Sequence, residues 1–148
     1  MVQKEAEQGG GIRTREFVME DYEPAIELWK RFENIEIAEG DDKEDIANFI
    51  RRNHGLSRVA EEGKKMVGLA LCGHDGRRGY IYHLAIDPAY QRLGVGKRLV
   101  DECLEGMRHA RVKRALILVA GDNVVGHSFW QRCGWEDIPG VRLMGIDL

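Results

Sequence analysis

Chemical staples and address signals are scarce in this chain of 148 residues. Its three cysteines, Cys72, Cys103 and Cys133, are odd in number and far apart, and no Cys-x-x-Cys occurs. That spacing excludes a disulfide framework and a zinc ribbon, and no metal is expected. Charge of one sign is also missing: 22 Lys and Arg against 25 Asp and Glu leave a net charge of -3. Bulk nucleic-acid binding leaves a basic footprint, so no nucleic-acid partner is expected. No run approaches the roughly 18 continuous apolar residues of a membrane span. The opening "MVQKEAEQGGG" is polar and lacks the apolar core of a secretory signal. No membrane role is expected, and the cytoplasm is the expected location.

What is present suits a globular domain: 43% hydrophobic and 32% charged residues, with 18 Gly against 3 Pro. This length matches one domain, and such a chain buries roughly 68–70% of its unfolded surface without staples. Residues 1–11 read as a flexible tail and residues 12–148 as one domain. A strand from Ile12 to Val18 is followed by Asp21 as helix N-cap and Pro24 in the first turn. Ala25, Leu28, Trp29 and Phe32 recur at i, i+3, i+4, i+7, one apolar helix face. Asp41 or Asp42 opens a second helix with a stripe of Ile46, Phe49 and Ile50.

The period then changes. Strands are predicted near 57–61, 65–73 and 78–87, broken by Glu62-Gly63-Lys64 and His74-Asp75-Gly76. A helix follows with Val95, Leu99, Val100, Cys103, Leu104 and Met107 along one side. "RALILVA", 114–120, reads as a central strand covered on both faces. Asp122 or Asn123 caps a last helix to Arg132, which Gly134 stops. Strands near 135–138 and 141–147 finish the chain. Those last strands leave two arrangements open, an intersubunit edge in a homodimer or internal cover. The order β-α-α-β-β-β-α-β-α-β-β makes a mixed α/β sheet, with a parallel strand–helix–strand unit at 78–120.

"DPAYQRLGVGKRLVDECL", 87–104, sets Gly94 and Gly96 at the mouth of a helix. A helix start offers unpaired N–H groups and the positive end of a dipole, which together bind anions. Gln91, Arg92, Lys97 and Arg98 add donors and charge. A Walker A loop would need Gly at 91 and Ser or Thr at 98, and a dinucleotide fingerprint a third glycine at 99. Gln91, Arg98 and Leu99 meet neither pattern. By itself the loop leaves a phosphate site and a plain turn open.

The surroundings separate these. "HLAIDPAYQRLGVGKRLV" resembles the core motif of the GCN5-related N-acetyltransferases, the GNAT superfamily. The likeness runs from about residue 12 to the end and is strongest from Gly76 to Trp135. "GHDGRRGYIYHLAI" and "FWQRCGW" are also similar to the YpeA-type branch of bacterial GNAT proteins. The resemblance implies the GNAT acyl-CoA N-acyltransferase fold and acetyl transfer from acetyl-CoA, as co-substrate, to a primary amine of a small molecule or a peptide or protein terminus. Main-chain groups of Leu84, Ala85 and Ile86 would pair with the pantetheine arm, and the Ile86 N–H would polarise the thioester carbonyl. Amides of Gln91, Arg92, Leu93, Gly94, Val95, Gly96 and Lys97 would wrap the diphosphate. Asn123 would bond the pantetheine. Strands 78–87 and 114–120 would splay apart to admit the arm.

Acyl transfer to an amine requires a neutral nucleophile, a donor for the oxyanion and a leaving thiolate. Family members often carry Tyr at the second aromatic of the last helix, where this chain has Phe129-Trp130. Indole N–H donates a hydrogen bond but releases no proton near neutrality. A thiol of pKa about 8.5 lies roughly 1.5 units above neutral, about 2 kcal/mol, so the thiolate leaves tolerably unaided. Trp130 either packs on the coenzyme or substrate or is a core aromatic. Its presence keeps a non-catalytic acyl-CoA-binding sensor or partner subunit as the alternative. Histidine as a residue type exchanges protons near neutrality, and His83 is the candidate base, against a packed histidine on the far face of the sheet. Tyr80 and Tyr82 line the same strand as weaker candidates. Glu33, Glu36, Glu39, Asp41 and Asp42 surround the helix joint and either attract a cationic amine or form a solvated loop. "RHARVKR", 108–114, reads as a solvated helix end or as a site for the adenosine 3′-phosphate of the coenzyme or an acidic partner.

Overall fold

The computed structural model describes residues 11–148. Apart from Gly11, the tail expected over 1–11 lies outside the described residues. In chain order the elements are β1 (Ile12–Glu16), α1 (Tyr22–Trp29), α2 (Lys43–Arg52), β2 (Arg58–Glu62), β3 (Lys65–His74), β4 (Gly79–Ile86), α3 (Val95–His109), β5 (Ala115–Leu116) and α4 (Val124–Arg132). Short 3-10 turns lie at Met19–Asp21 and Pro88–Tyr90. No helix of the described residues is long and apolar enough to cross a membrane.

Two compact units divide the chain, one ending at Leu118 and the other Val119–Leu148. The first holds a five-stranded sheet in the order β1-β2-β3-β4-β5. Its first four strands form an antiparallel meander, and β5 runs parallel to β4. Side chains alternate across the sheet. Leu69 and Leu71 of β3 and Ala85 of β4 therefore join Ala25, Leu28 and Trp29 of α1 and Ile46 of α2 in one core cluster. Each large side chain buried there contributes roughly 1.5–3 kcal/mol.

The opposite face of the sheet carries α3, whose Leu99, Val100, Cys103 and Met107 are buried. Packing on this side is close. A Cβ on Gly79 would overlap Sδ of Met107, so the first residue of β4 must lack a side chain for α3 to lie down on it.

Two expectations for strands need correction. Of residues 114–120 only Ala115 and Leu116 pair, with Gly79 and Tyr80. Beyond them the ladder opens, and Leu118, expected within a covered central strand, is 51% exposed. Residues 135–138 and 141–147 carry no strand. Alternating apolar residues make a strand only when a neighbour accepts and supplies the main-chain hydrogen bonds. No strand of the described residues pairs with them, and Val141, Leu143, Met144 and Ile146 stand exposed.

In the second unit, Asn123 rather than Asp122 caps α4: its side-chain oxygen accepts the Gly126 N–H at 2.9 Å. Gly134, at φ 91°, ends the helix as expected. Trp130 sits between Phe129 and Trp135, with ring centroids 5.2 and 5.0 Å away in edge-on geometry.

Candidate active site on strand β4 and the entrance to α3

The ladder between β3 and β4 skips. Leu69 faces Ala85 and Leu71 faces Tyr82, so Ala70 stands opposite two residues, His83 and Leu84. This is a β-bulge, which breaks the alternation of side chains. Tyr82 and His83, though consecutive, both turn toward the α1–α2 side: Tyr82 meets Phe49 of α2, and His83 meets Trp29 of α1. His83 reaches that position at φ 51°, a left-handed conformation that costs a non-glycine residue about 1–2 kcal/mol. Its surroundings hold it there. The indole Nε1 of Trp29 donates to the His83 carbonyl at 2.9 Å, and the two rings meet edge-on at 5.0 Å.

The imidazole has a charged neighbour. Nε2 of His83 lies 3.1 and 3.0 Å from Oδ1 and Oδ2 of Asp41, in the segment between α1 and α2. Asp41 is nearly buried, at 9% exposure. Its Oδ2 also accepts the Ala38 N–H at 3.1 Å, and its carbonyl accepts the Tyr22 hydroxyl at 2.8 Å. Of the five carboxylates assigned to the helix joint, then, Asp41 is built into the site, and Asp42 is the N-cap of α2, accepting the Asp45 N–H at 3.3 Å. Among the described residues Nδ1 of His83 has no hydrogen-bond partner, yet no buried side-chain nitrogen or oxygen is left unpaired. Nδ1 therefore reaches solvent.

Tyr80 and Tyr82 stack at 5.7 Å with their rings 13° from parallel. Burial, followed by the proximity of Tyr80 and Asp75, pushes the Tyr82 hydroxyl above its ordinary pKa. It stays protonated near neutrality and suits a wall better than a base.

The free edge of β4 is the second part of the site. The Asp87 N–H donates to the Val67 carbonyl on β3 at 2.8 Å. In an antiparallel pair, hydrogen-bonded and non-hydrogen-bonded positions alternate. Ala85, opposite Leu69, thus turns its main chain toward β3. Ile86 turns its main chain outward, where its carbonyl accepts Nε2 of Gln91 at 3.0 Å. Because β5 pairs only as far as Tyr80, the Ile86 N–H faces an edge that no strand of the described residues covers.

Immediately beyond, Asp87 anchors the turn. Its Oδ1 accepts the Ala89 N–H at 2.9 Å, and Oδ2 pairs with Arg31 at 3.0 Å and Lys65 at 3.6 Å. The Ala89 amide first, then the Arg31 guanidinium, hold its pKa below the usual carboxylate value. Arg92 and Gly94 are left-handed, at φ 64° and 80°. The first backbone bond of α3 runs from the Arg98 N–H to the Gly94 carbonyl. No side chain caps this helix, whereas Asp42 caps α2 and Asn123 caps α4. The leading amides of Val95 and Gly96 consequently have no intrahelical acceptor and carry the positive end of the dipole. Leu93 projects outward at 63% exposure. Lys97 and Arg98 are turned back along α3, to Asp101 at 2.7 Å and Glu102 at 3.3 Å. Arg92 makes no ion pair among the described residues.

An uncapped helix start beside an open strand edge suits a ligand with a negatively charged head and an amide-bearing arm. The residues present fit that demand. Asp41 and Trp29 were missed as partners of His83, since nothing in a sequence links positions 42 and 54 residues apart.

Residues 12–135 match the model of the Acetyltransferase (GNAT) family. A relative from Sodalis glossinidius (strain morsitans), acetyltransferase SG1711, is 28% identical over 134 residues, 90% of this chain and 94% of the relative. The acetyltransferase from Streptococcus agalactiae 2603 superposes with a TM-score of 0.76 at 18% identity, covering 93% of this chain and 92% of that one. AAC(6')-Iy, solved in complex with the bisubstrate analogue CoA-S-monomethyl-acetylneamine, gives 0.72 at 15% identity, covering 93% and 99%. At these identities the two solved structures speak for the fold, and the family match speaks for membership. That match takes in β4, the glycine loop and α3 together, and the chain belongs to the GNAT acetyltransferases, enzymes that depend on acetyl-CoA.

Proposed function

We propose that this enzyme moves an acetyl group from acetyl-CoA directly to a primary amine, on a small molecule or at a peptide or protein terminus, and that it works in the cytoplasm. The observation that carries the reading is the open edge of β4 leading into the uncapped start of α3. In this reading the amides from Gln91 to Lys97 receive the diphosphate, with Arg92 adding charge. The arm lies along β4 beside Leu84 and Ile86. The Ile86 N–H donates to the thioester oxygen as negative charge grows on it, a contribution of about 2.7–4 kcal/mol for one such donor in other acyl transfers. His83 accepts the proton of the amine. The likeness to the YpeA-type branch belongs to the same proposal.

A second reading, a non-catalytic acyl-CoA binder, is favoured by Trp130, an aromatic packed between Phe129 and Trp135 that supplies no proton. One experiment separates the two. Acetyl-CoA at about 100 times its dissociation constant adds about 2.7 kcal/mol to the native state. For a chain of this size that raises Tm by about 5–10 °C. Thiol release is then followed across a panel of amines. A thermal shift with thiol release supports the enzyme, and a shift without release on any amine supports the binder. The absence of any shift in folded protein removes both.

A further inference from the structure

We infer that Asp41 is a positioning residue that fixes the tautomer of His83, so that Nδ1 and not Nε2 takes the proton of the incoming amine. The inference rests on the acetyl-transfer reading and adds to it the atom that moves the proton and the group that selects it.

Both carboxylate oxygens of Asp41 lie within 3.1 Å of Nε2. A carboxylate only accepts hydrogen bonds, so the ring proton of a neutral His83 resides on Nε2. The lone pair is left on Nδ1, the nitrogen that has no partner among the described residues and reaches solvent. The arrangement is fixed from both ends. Asp41 is held by the Ala38 amide and the Tyr22 hydroxyl, and His83 by the bulge and by the Trp29 indole on its carbonyl. Neither partner is free to swing. A histidine serving only to pack would need neither a left-handed backbone nor an outward-facing lone pair.

The step balances as follows. The amine nitrogen bonds to the acetyl carbon, and the C–S bond breaks with its electron pair going to sulfur. The proton lost by nitrogen passes to Nδ1, and the resulting imidazolium is stabilised by the Asp41 carboxylate across Nε2. From Nδ1 the proton leaves to water or to the thiolate.

The test reads the tautomer and the activity separately. Imidazole nitrogen NMR on the free wild-type protein is expected to show His83 protonated at Nε2, with Nδ1 carrying the lone pair. In Asp41→Asn the amide group offers Nε2 a donor, so the proton is expected on Nδ1. Turnover should then fall by about 10²–10⁴-fold, the range of a lost base, with the acetyl-CoA thermal shift retained. In a His83→Gln background Asp41→Asn should cause no further loss; with His83 present, Asp41→Glu should keep part of the activity that Asp41→Asn loses. Protonation at Nδ1 in the wild type overturns the inference, as does an Asp41→Asn loss that multiplies on top of His83→Gln. If Asp41→Asn fails to fold, the wild-type tautomer and Asp41→Glu decide. A wild type that releases no thiol with any amine removes the acetyl-transfer reading instead.

Discussion

Gly94 offers the sharpest test of the loop, because strain and crowding can be separated there. Its φ of 80° is left-handed, and a Cβ built on it would meet nothing within 4 Å. Substitution thus brings a conformational cost and no clash in the free protein. For alanine that cost is about 1–2 kcal/mol, partly offset by about 0.4–1 kcal/mol from a less flexible unfolded chain. A net loss of about 1 kcal/mol corresponds to roughly 2–4 °C in Tm for a protein of this size. Asparagine tolerates the left-handed region and should lose less; valine, β-branched, should lose more. Relief of the strain would re-aim the leading amides of α3, so the acetyl-CoA thermal shift should shrink in the same order. A tenfold weaker affinity removes about 1.4 kcal/mol of ligand stabilisation. Thermal scans with and without acetyl-CoA across Gly94→Asn, Ala and Val give both numbers. Equal Tm values and equal ligand shifts for glycine, alanine and valine would refute the reasoning that this conformation holds the cradle.

Further predictions concern the frame and the chemistry. Gly79→Ala should destabilise by about 1–3 kcal/mol through overlap with Met107, and Met107→Ala should recover part of that loss in the double variant; additive losses in urea unfolding would disprove the contact. The depressed pKa of Asp87 stabilises the fold above the ordinary carboxylate value near 4, and that contribution is lost as pH falls through the lower folded value. Wild type should therefore lose Tm more steeply than Asp87→Asn below about pH 4, and parallel profiles would count against it. Trp130→Tyr should raise kcat by at most about 30-fold, the equivalent of the 2 kcal/mol that separates the thiol pKa from neutrality. An unchanged kcat would show that thiolate departure is not limiting.

Element types were legible where periodicity was long. The stripe Val95, Leu99, Val100, Cys103, Met107 specified α3 to within its buried face, and the glycine-bearing breaks marked the hairpins at Gly63 and Gly76. Gly94 was legible too, since its positive φ draws glycine for a local reason, whereas Arg92 holds a left-handed conformation that its residue type does not announce. The pattern failed where structure depends on a partner strand. "RALILVA" carries the same apolar signal whether two or seven residues pair, and 135–148 alternates without finding a ladder. It failed again at His83. A bulge shifts side chains by one position through pairing with β3, and Asp41, the partner of the His83 ring, arrives through tertiary folding alone. Lys97 and Arg98 adjoin the loop in sequence, and their i,i+4 pairing with Asp101 and Glu102 on α3 is a second feature that the helical spacing carries.

The bulge has a bearing on how this strand tolerates length changes. Downstream of it, Ala85 and Ile86 keep step with Leu69 and Gly68, and upstream Tyr82 keeps step with Leu71. Deleting Leu84 would leave one residue opposite Ala70 and so produce a perfectly regular hairpin. In that tidier sheet His83 would point at α3, out of reach of Asp41. A shortened chain would gain a regular ladder and lose the contact between His83 and Asp41, so in this strand regular pairing and that contact make opposite demands.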